Sequence, residues 1–226
     1  MIIELDNISR IYINNDSGIK RKVLTGISLS INKGDALSIV GPSGSGKSTL
    51  LNIIGTLDMP SSGIVKFNGN KINNFTEDQL ADIRNQEIGF IFQSHHLLPQ
   101  LNLLENILLP TLPIKEKSKK KYATERALSL LESIGLADKI HQLPGQLSGG
   151  ECQRTAVVRA LINEPKLILA DEPTGSLDED SAHRIGELLS NINKEQNVAL
   201  VVVTHSVILA DRIGNKYNLM EGNIIK

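Results

Sequence analysis

The sequence predicts an α/β protein: a mainly parallel sheet covered by helices, with antiparallel strands toward its N-terminal end. Three observations carry this. Short β-branched runs alternate with helical patterns along the 226 residues, which favours strand–helix–strand units. Ala36–Val40, Ile88–Phe92, Leu167–Ala170 and Val198–Val203 are apolar nearly throughout, as strands buried on both faces should be. A Gly-rich segment, Gly41-Pro42-Ser43-Gly44-Ser45-Gly46-Lys47-Ser48-Thr49, joins the first of these strands to the helical pattern Leu50-Leu51-Asn52-Ile53-Ile54.

In chain order, Ile2–Leu5, Ile8–Ile13, Ile27–Ile31 and Ile64–Phe67 read as strands. Asn68-Gly69 after the last is a tight-turn signal, so this portion should contain antiparallel pairs. Thr76-Glu77-Asp78-Gln79 has capping-box spacing and predicts a short helix. Between Gln93 and about Ile162 the strand signal disappears, and helices are expected over Asn102–Leu109, Ser118–Ser133 and Gly150–Ile162. This stretch, 93–162, reads as a helical subdomain inserted into an α/β core made from 1–92 and 163–226, all within one domain. Lys115–Lys121 holds five lysines and one glutamate, the pattern of a solvated loop and helix start.

Composition narrows the class of partner. A net charge of −1 argues against nucleic acid, which needs a basic face. The single cysteine, Cys152, excludes an internal disulfide and suits a reducing compartment. It stands in a polar run and reads as a tolerated free thiol. No N-terminal signal pattern is evident. Apolar runs such as Val198–Val203 fall far short of the ~20 residues a membrane helix needs, so the chain is not expected to cross a membrane by itself.

The chemistry lies in three places. The Gly-rich segment has the form of a phosphate-binding loop, and it predicts a bound ATP or GTP. Its glycines let successive N–H groups converge on an anion, the helix start adds its positive dipole end, Lys47 supplies a charge for the β/γ-phosphates, and Ser48 an oxygen for Mg²⁺. Next, Lys166–Ala170 leads into adjacent carboxylates, Asp171 and Glu172, where a parallel sheet binds ligands. Asp171 suits the Mg²⁺ hydration shell, and Glu172 suits orienting or deprotonating the attacking water. Last, Leu147-Ser148-Gly149-Gly150-Glu151 precedes a helix. Ser148 and Glu151 have capping-box spacing, which accounts for both without a ligand. Two consecutive glycines beside a helix start also suit a second anion site, which would place each nucleotide between two copies of the chain.

Taken together these residues resemble the ATP-binding subunits of ABC transporters. The phosphate loop, Gln93 after a strand, Leu147–Glu151, Asp171-Glu172, Ser176-Leu177-Asp178 and Thr204-His205 follow that family's order and spacing over essentially the whole chain. The resemblance implies an ATP-sandwich homodimer in which Ser148, Gly149 and Gly150 of one copy close on ATP held by the other. It further implies that Gln93 touches Mg²⁺ and the attacking water, that Asp178 lies at the dimer seam, and that His205 meets the γ-phosphate and orients Glu172. Tyr12 matches the aromatic that stacks on adenine. Two positions depart from the family pattern: Cys152, usually polar, and Ser206, where aspartate is common.

Arg84–Pro99 and Gly55-Thr56-Leu57-Asp58 resemble the lipoprotein-releasing (LolD-type) branch, while Tyr12, Gly18 and Val23-Leu24 fit that branch and its MacB-type relatives. The resemblance thus implies ATP hydrolysis coupled to lipoprotein release, with separately encoded permease subunits docking near 93–104 at the cytoplasmic face of the inner membrane. MacB-like drug or peptide export and an FtsE-like cell-division role share the same motifs. An exposed apolar patch is expected beside His95–Pro99. The adjacent His95 and His96 lack a third ligand of suitable spacing for a metal site.

Overall fold

The computed structural model describes residues 1–13 and 18–225. The strands are β1 (Ile3–Ile13), β2 (Lys20–Ile31), β3 (Ala36–Val40), β4 (Ser62–Phe67), β5 (Asn70–Lys71), β6 (Ile88–Ile91), β7 (Leu167–Asp171), β8 (Ala199–Thr204), β9 (Lys216–Met220) and β10 (Asn223–Ile225). The helices are α1 (Lys47–Ile54), α2 (Glu77–Glu87), α3 (Leu103–Leu108), α4 (Lys117–Ser133), α5 (Gly149–Leu161), α6 (Glu179–Gln196) and α7 (Val207–Ile213). One sheet is antiparallel, in the order β2-β1-β4-β5; the other runs β10-β9-β3-β8-β7-β6. In the second, β9, β3, β8, β7 and β6 are parallel and only β10 is antiparallel.

The all-apolar strands are explained by packing on both faces. Leu167, Leu169, Ala199, Val201 and Val203 point into a core shared with α1 and the antiparallel sheet. Ile168, Ala170, Leu200 and Val202 alternate with them and face the core formed with α5, α6 and α7. A strand has a side-chain period of two, so only a strand covered twice can afford apolar residues at every position.

No described strand lies between β6 and β7. The helices there enclose their own cluster, in which Leu103, Ile107, Ala127 and Leu131 meet Val158 and Ile162. Helix α5 serves two cores, because Val157 and Leu161 on its other side pack on the sheet. Capping boxes start α2 at Thr76 and α3 at Asn102.

The structure differs from the sequence reading at several points. Ile2–Leu5 and Ile8–Ile13 form one strand, not two; the register shifts between Leu5 and Ile8, with Asn7 at φ 52°. Asparagine tolerates that left-handed conformation, so the polar Asp6-Asn7 pair marks a bulge, not an end. Cys152 is a free thiol, as expected, but its polar neighbours in sequence do not enclose it: it is 3% exposed and packs with Leu97 and Ala156, and burial, aided by the charge of Glu151, pushes its thiol pKa up. No element was expected over α6, α7, β9 or β10. In β9 only Leu219 is fully buried, which leaves little periodic signal to read.

Candidate functional site

A cleft of about 650 Å³ opens where the C-terminal ends of β3 and β7 meet the antiparallel sheet, lined by phosphate-loop residues together with Tyr12, Gln93, Glu172 and His205. The loop occupies the turn from β3 into α1. Gly46 sits immediately before α1 at φ 105° with no side-chain cap on the helix, a conformation in which a side chain is strained. Gly41 is required for a different reason: a Cβ there would lie 2.2 Å from the Leu219 carbonyl oxygen. Ser43, Gly44, Ser48 and Thr49 line the cleft beside Lys47.

Two buried polar groups in this loop are incompletely matched among the described residues, one in charge and one in hydrogen bonding. Lys47 is only 8% exposed. Its Nζ donates to the carbonyls of Gly41 (2.9 Å) and Pro42 (3.1 Å) and makes no ion pair with a described carboxylate. The Ser45 hydroxyl is buried with no described partner. An ammonium held by two neutral carbonyls, a spare hydroxyl and a free helix start together suit a polyphosphate anion.

Asp171 ends β7 and accepts a hydrogen bond from the Ser48 hydroxyl at 3.1 Å. Burial pushes its carboxyl pKa up; the Ser48 bond opposes this, the neighbouring Glu172 charge adds to it, and Lys47 opposes it. These two hard oxygens, with Gln93 on the same cleft, suit Mg²⁺. Glu172 adopts φ 46°, held by its N–H donating to Val203 O and its own carbonyl accepting from Gly175 N. A non-glycine residue in that region marks stored strain, which persists only when the surroundings enforce it. The Glu172 Oε2 atom accepts from the Thr204 hydroxyl (3.0 Å) and the His205 N–H (3.2 Å), and lies 3.0 Å from His205 Nδ1. The Gln93 carbonyl accepts from the Ser176 hydroxyl at 3.1 Å.

Tyr12 lines the cleft from the antiparallel sheet. Arg21 and Val23 line it too, and the sequence reading assigned neither a role in the site. Their signal was weak, because they stand on β2 and reach the cleft only through its register with β1, where Tyr12 pairs with Arg21.

Ser148, Gly149, Gly150 and Asp178 do not line this cleft. Ser148 caps α5 through a complete capping box with Glu151. The Lys139 ammonium, 2.5 Å from Glu151 Oε1, and the Ser148 N–H together hold the Glu151 carboxyl at about 2. Asp178 caps α6 by accepting from Ser181 N at 2.9 Å, and that bond lowers its pKa. A Cβ on Gly150 would fall 2.7 Å from Ser181 Oγ, and one on Gly149 would fall 3.7 Å from Leu177. The two segments are therefore neighbours on a second surface. Ser206, where the sequence departs from the family pattern, caps α7.

A phosphate loop joined to an acidic strand end in a parallel sheet defines a nucleotide-binding protein of the phosphate-loop class. The family described as ABC transporter matches residues 24–175, and the chain belongs to that family. It is 43% identical to the lipoprotein-releasing system ATP-binding protein LolD of Syntrophus aciditrophicus (strain SB), over 99% of each chain. With the protein of the same name from Legionella pneumophila (strain Paris) it shares 45% identity over 95% of this chain and 94% of that one. Among solved structures, the dimeric bacterial ABC transporter cassette MJ0796 aligns with TM-score 0.88 and 39% identity, covering 100% of this chain and 97% of that one. A dimeric post-hydrolysis form of the MJ0796 cassette bound to ADP and Pi aligns with TM-score 0.84 and 36% identity, covering 100% and 98%.

Proposed function

We propose that this chain is the ATP-hydrolysing subunit of an ABC transporter that drives lipoprotein release. The observation that carries the ATPase reading is the buried Lys47, with no ion pair to a described carboxylate, beside a Ser45 hydroxyl with no described partner, opposite a strained Glu172. The lipoprotein-release reading is supported by near-full-length similarity to LolD proteins.

In this reading the loop amides, Lys47 and Ser48 bind the phosphates, with Tyr12 beneath the adenine. Mg²⁺, which neutralises charge on the β- and γ-phosphates, would be held by Ser48, Asp171 and Gln93. Glu172 orients and deprotonates the attacking water. His205 and Thr204 crowd onto Oε2, fixing the carboxylate plane and leaving Oε1 to accept the water proton. Ser148, Gly149, Gly150 and Asp178 would act across a homodimer, since within one chain they do not line the cleft. The capping bond of Ser148 uses an oxygen lone pair, so its hydroxyl proton stays available to a phosphate of the other copy.

Permease subunits would dock beside residues 93–104 and hold the chain at the cytoplasmic face of the membrane; no described helix is long and apolar enough to cross one. An exposed apolar patch was expected beside His95–Pro99; there Leu98 is 39% exposed while Leu97 is buried, and Leu103 further along is buried as well. The neighbouring apolar groove is formed by Leu57, Phe90, Phe92, Pro110 and Pro165. Leu98→Glu should leave basal ATPase intact and abolish permease pull-down; normal pull-down rules this surface out.

The test of the activity is Glu172→Gln. ATP binding should persist while phosphate release falls by about 10²–10⁴-fold, and an ATP-bound dimer should accumulate in light scattering. Hydrolysis at the parent rate refutes the assignment.

A further inference from the structure

Tyr12 is held in place by a residue from outside the nucleotide cleft. Arg10 and Tyr12 stand two apart on β1, so their side chains share a face. The Arg10 guanidinium covers the Tyr12 ring, 4.5 Å from its centroid. Asp58 grips both: Oδ2 accepts the Tyr12 phenol proton at 2.8 Å, and Oδ1 pairs with Arg10 Nη2 at 2.7 Å. Oδ1 also accepts the Met59 N–H at 2.8 Å, which fixes the carboxylate itself.

Asp58 lies just past α1, the helix that begins at the phosphate loop. The N–H groups of Leu57 and Asp58 both donate to Asn52 O (2.8 and 3.2 Å), so Asp58 moves with that helix. A few residues on, Ser61 N donates to Ser9 O (2.8 Å) and the Ser61 hydroxyl accepts from Ile11 N (3.0 Å). The far end of the phosphate-loop helix is thereby laced to β1. Tyr12 lines the cleft, whereas Arg10 and Asp58 are not among its lining residues.

We propose that Asp58 is the positioning residue of the base platform. It fixes the Tyr12 ring before nucleotide arrives, holds Arg10 against one ring face so that a purine stacks on the other, and couples the platform to the phosphate loop through α1. This rests on the reading of Tyr12 as the base platform. Because the phenol proton is engaged by Asp58, the ring offers the base a π-face and no donor, so it binds purines without selecting among them. A ring already ordered by its neighbours also loses less entropy when the nucleotide binds.

The experiment is calorimetric titration of the full chain with ATP and with inorganic tripolyphosphate, which has the charge but no base. Tyr12→Ala and Asp58→Ala should each weaken ATP binding by about fivefold, and the double variant by little more than Tyr12→Ala alone, because one interaction is removed twice. Tripolyphosphate binding should stay within about twofold, since its contacts are untouched. An equal loss for both ligands with Asp58→Ala overturns the proposal, because Asp58 then merely supports the phosphate loop. Loss with Tyr12→Ala but not Asp58→Ala overturns the positioning role and leaves the base platform standing. No loss with either refutes the platform itself. Should Asp58→Ala fail to fold, Tyr12→Phe decides: it keeps the ring and deletes the bond to Asp58. A weakening of about threefold confined to ATP supports the proposal, and unchanged ATP affinity overturns it.

Discussion

The surface around Lys47 and the surface around Ser148 are both Gly-rich helix starts, but the chain leaves them in opposite states. Among the described residues, the buried Lys47 cation hydrogen-bonds only to carbonyls and the Ser45 hydroxyl has no partner. At Ser148 the hydroxyl caps its helix and Glu151 is paired with Lys139. Unpaired buried polar groups cost free energy, and a native fold keeps them where a ligand repays the cost. The first surface is thus built to receive an anion within one chain. At the second, Ser148 and Glu151 are already satisfied within the chain, so whatever they contribute to a nucleotide would come by presenting their remaining groups to another molecule.

The sharpest way to break this contrast is Lys47→Ala. Removing the charge should weaken ATP binding by roughly 10- to 100-fold, the range for hydrogen bonds to charged groups. Unchanged affinity in titration calorimetry refutes the assignment.

Ser148→Ala should behave differently. It deletes an N-cap, which costs about 1 kcal/mol of stability and lowers Tm by roughly 2–4 °C in a chain of this size. ATP affinity of the isolated subunit should hold, while ATP-driven dimerisation in a Glu172→Gln background weakens. A fall in subunit affinity matching that of Lys47→Ala would show that the two surfaces are not separate.

The smallest effect concerns acid. The folded-state pKa of Glu151, about 2, lies below its ordinary value of 4.5. Its contribution to stability is therefore complete above the unfolded value and is lost as pH falls from about 5 toward 2. Glu151→Gln should flatten the dependence of Tm on pH in that window. An unchanged acid slope would show that the Lys139 pair does not distinguish folded from unfolded chain.

The central strands and the phosphate loop were legible because their signals are local. A strand buried twice must be apolar throughout, and a loop cradling an anion must carry glycines and a lysine at close spacing. Helix α6 was harder to read: its buried positions Ile185, Leu189 and Ile192 have helical spacing, but polar neighbours dilute them. Asp178 illustrates the same limit. The family resemblance alone suggested a dimer-seam role, while the structure shows the cap that begins α6. The burial of Cys152 was not legible because its immediate neighbours are polar, whereas Leu97, one of its packing partners, is distant in sequence.

What the sequence determined by itself was the set of elements with strong periodicity and the chemical identity of the groups in each motif. Those follow from spacing along one chain, where backbone geometry sets which residues share a face. Only the tertiary structure decided that Ser48 meets Asp171, that Arg21 and Val23 line the cleft beside Tyr12, and that Asp58 grips Arg10 and Tyr12. Each of those contacts joins elements brought together by burial of the two cores. Burial is non-directional and leaves no mark on the spacing of the residues it unites.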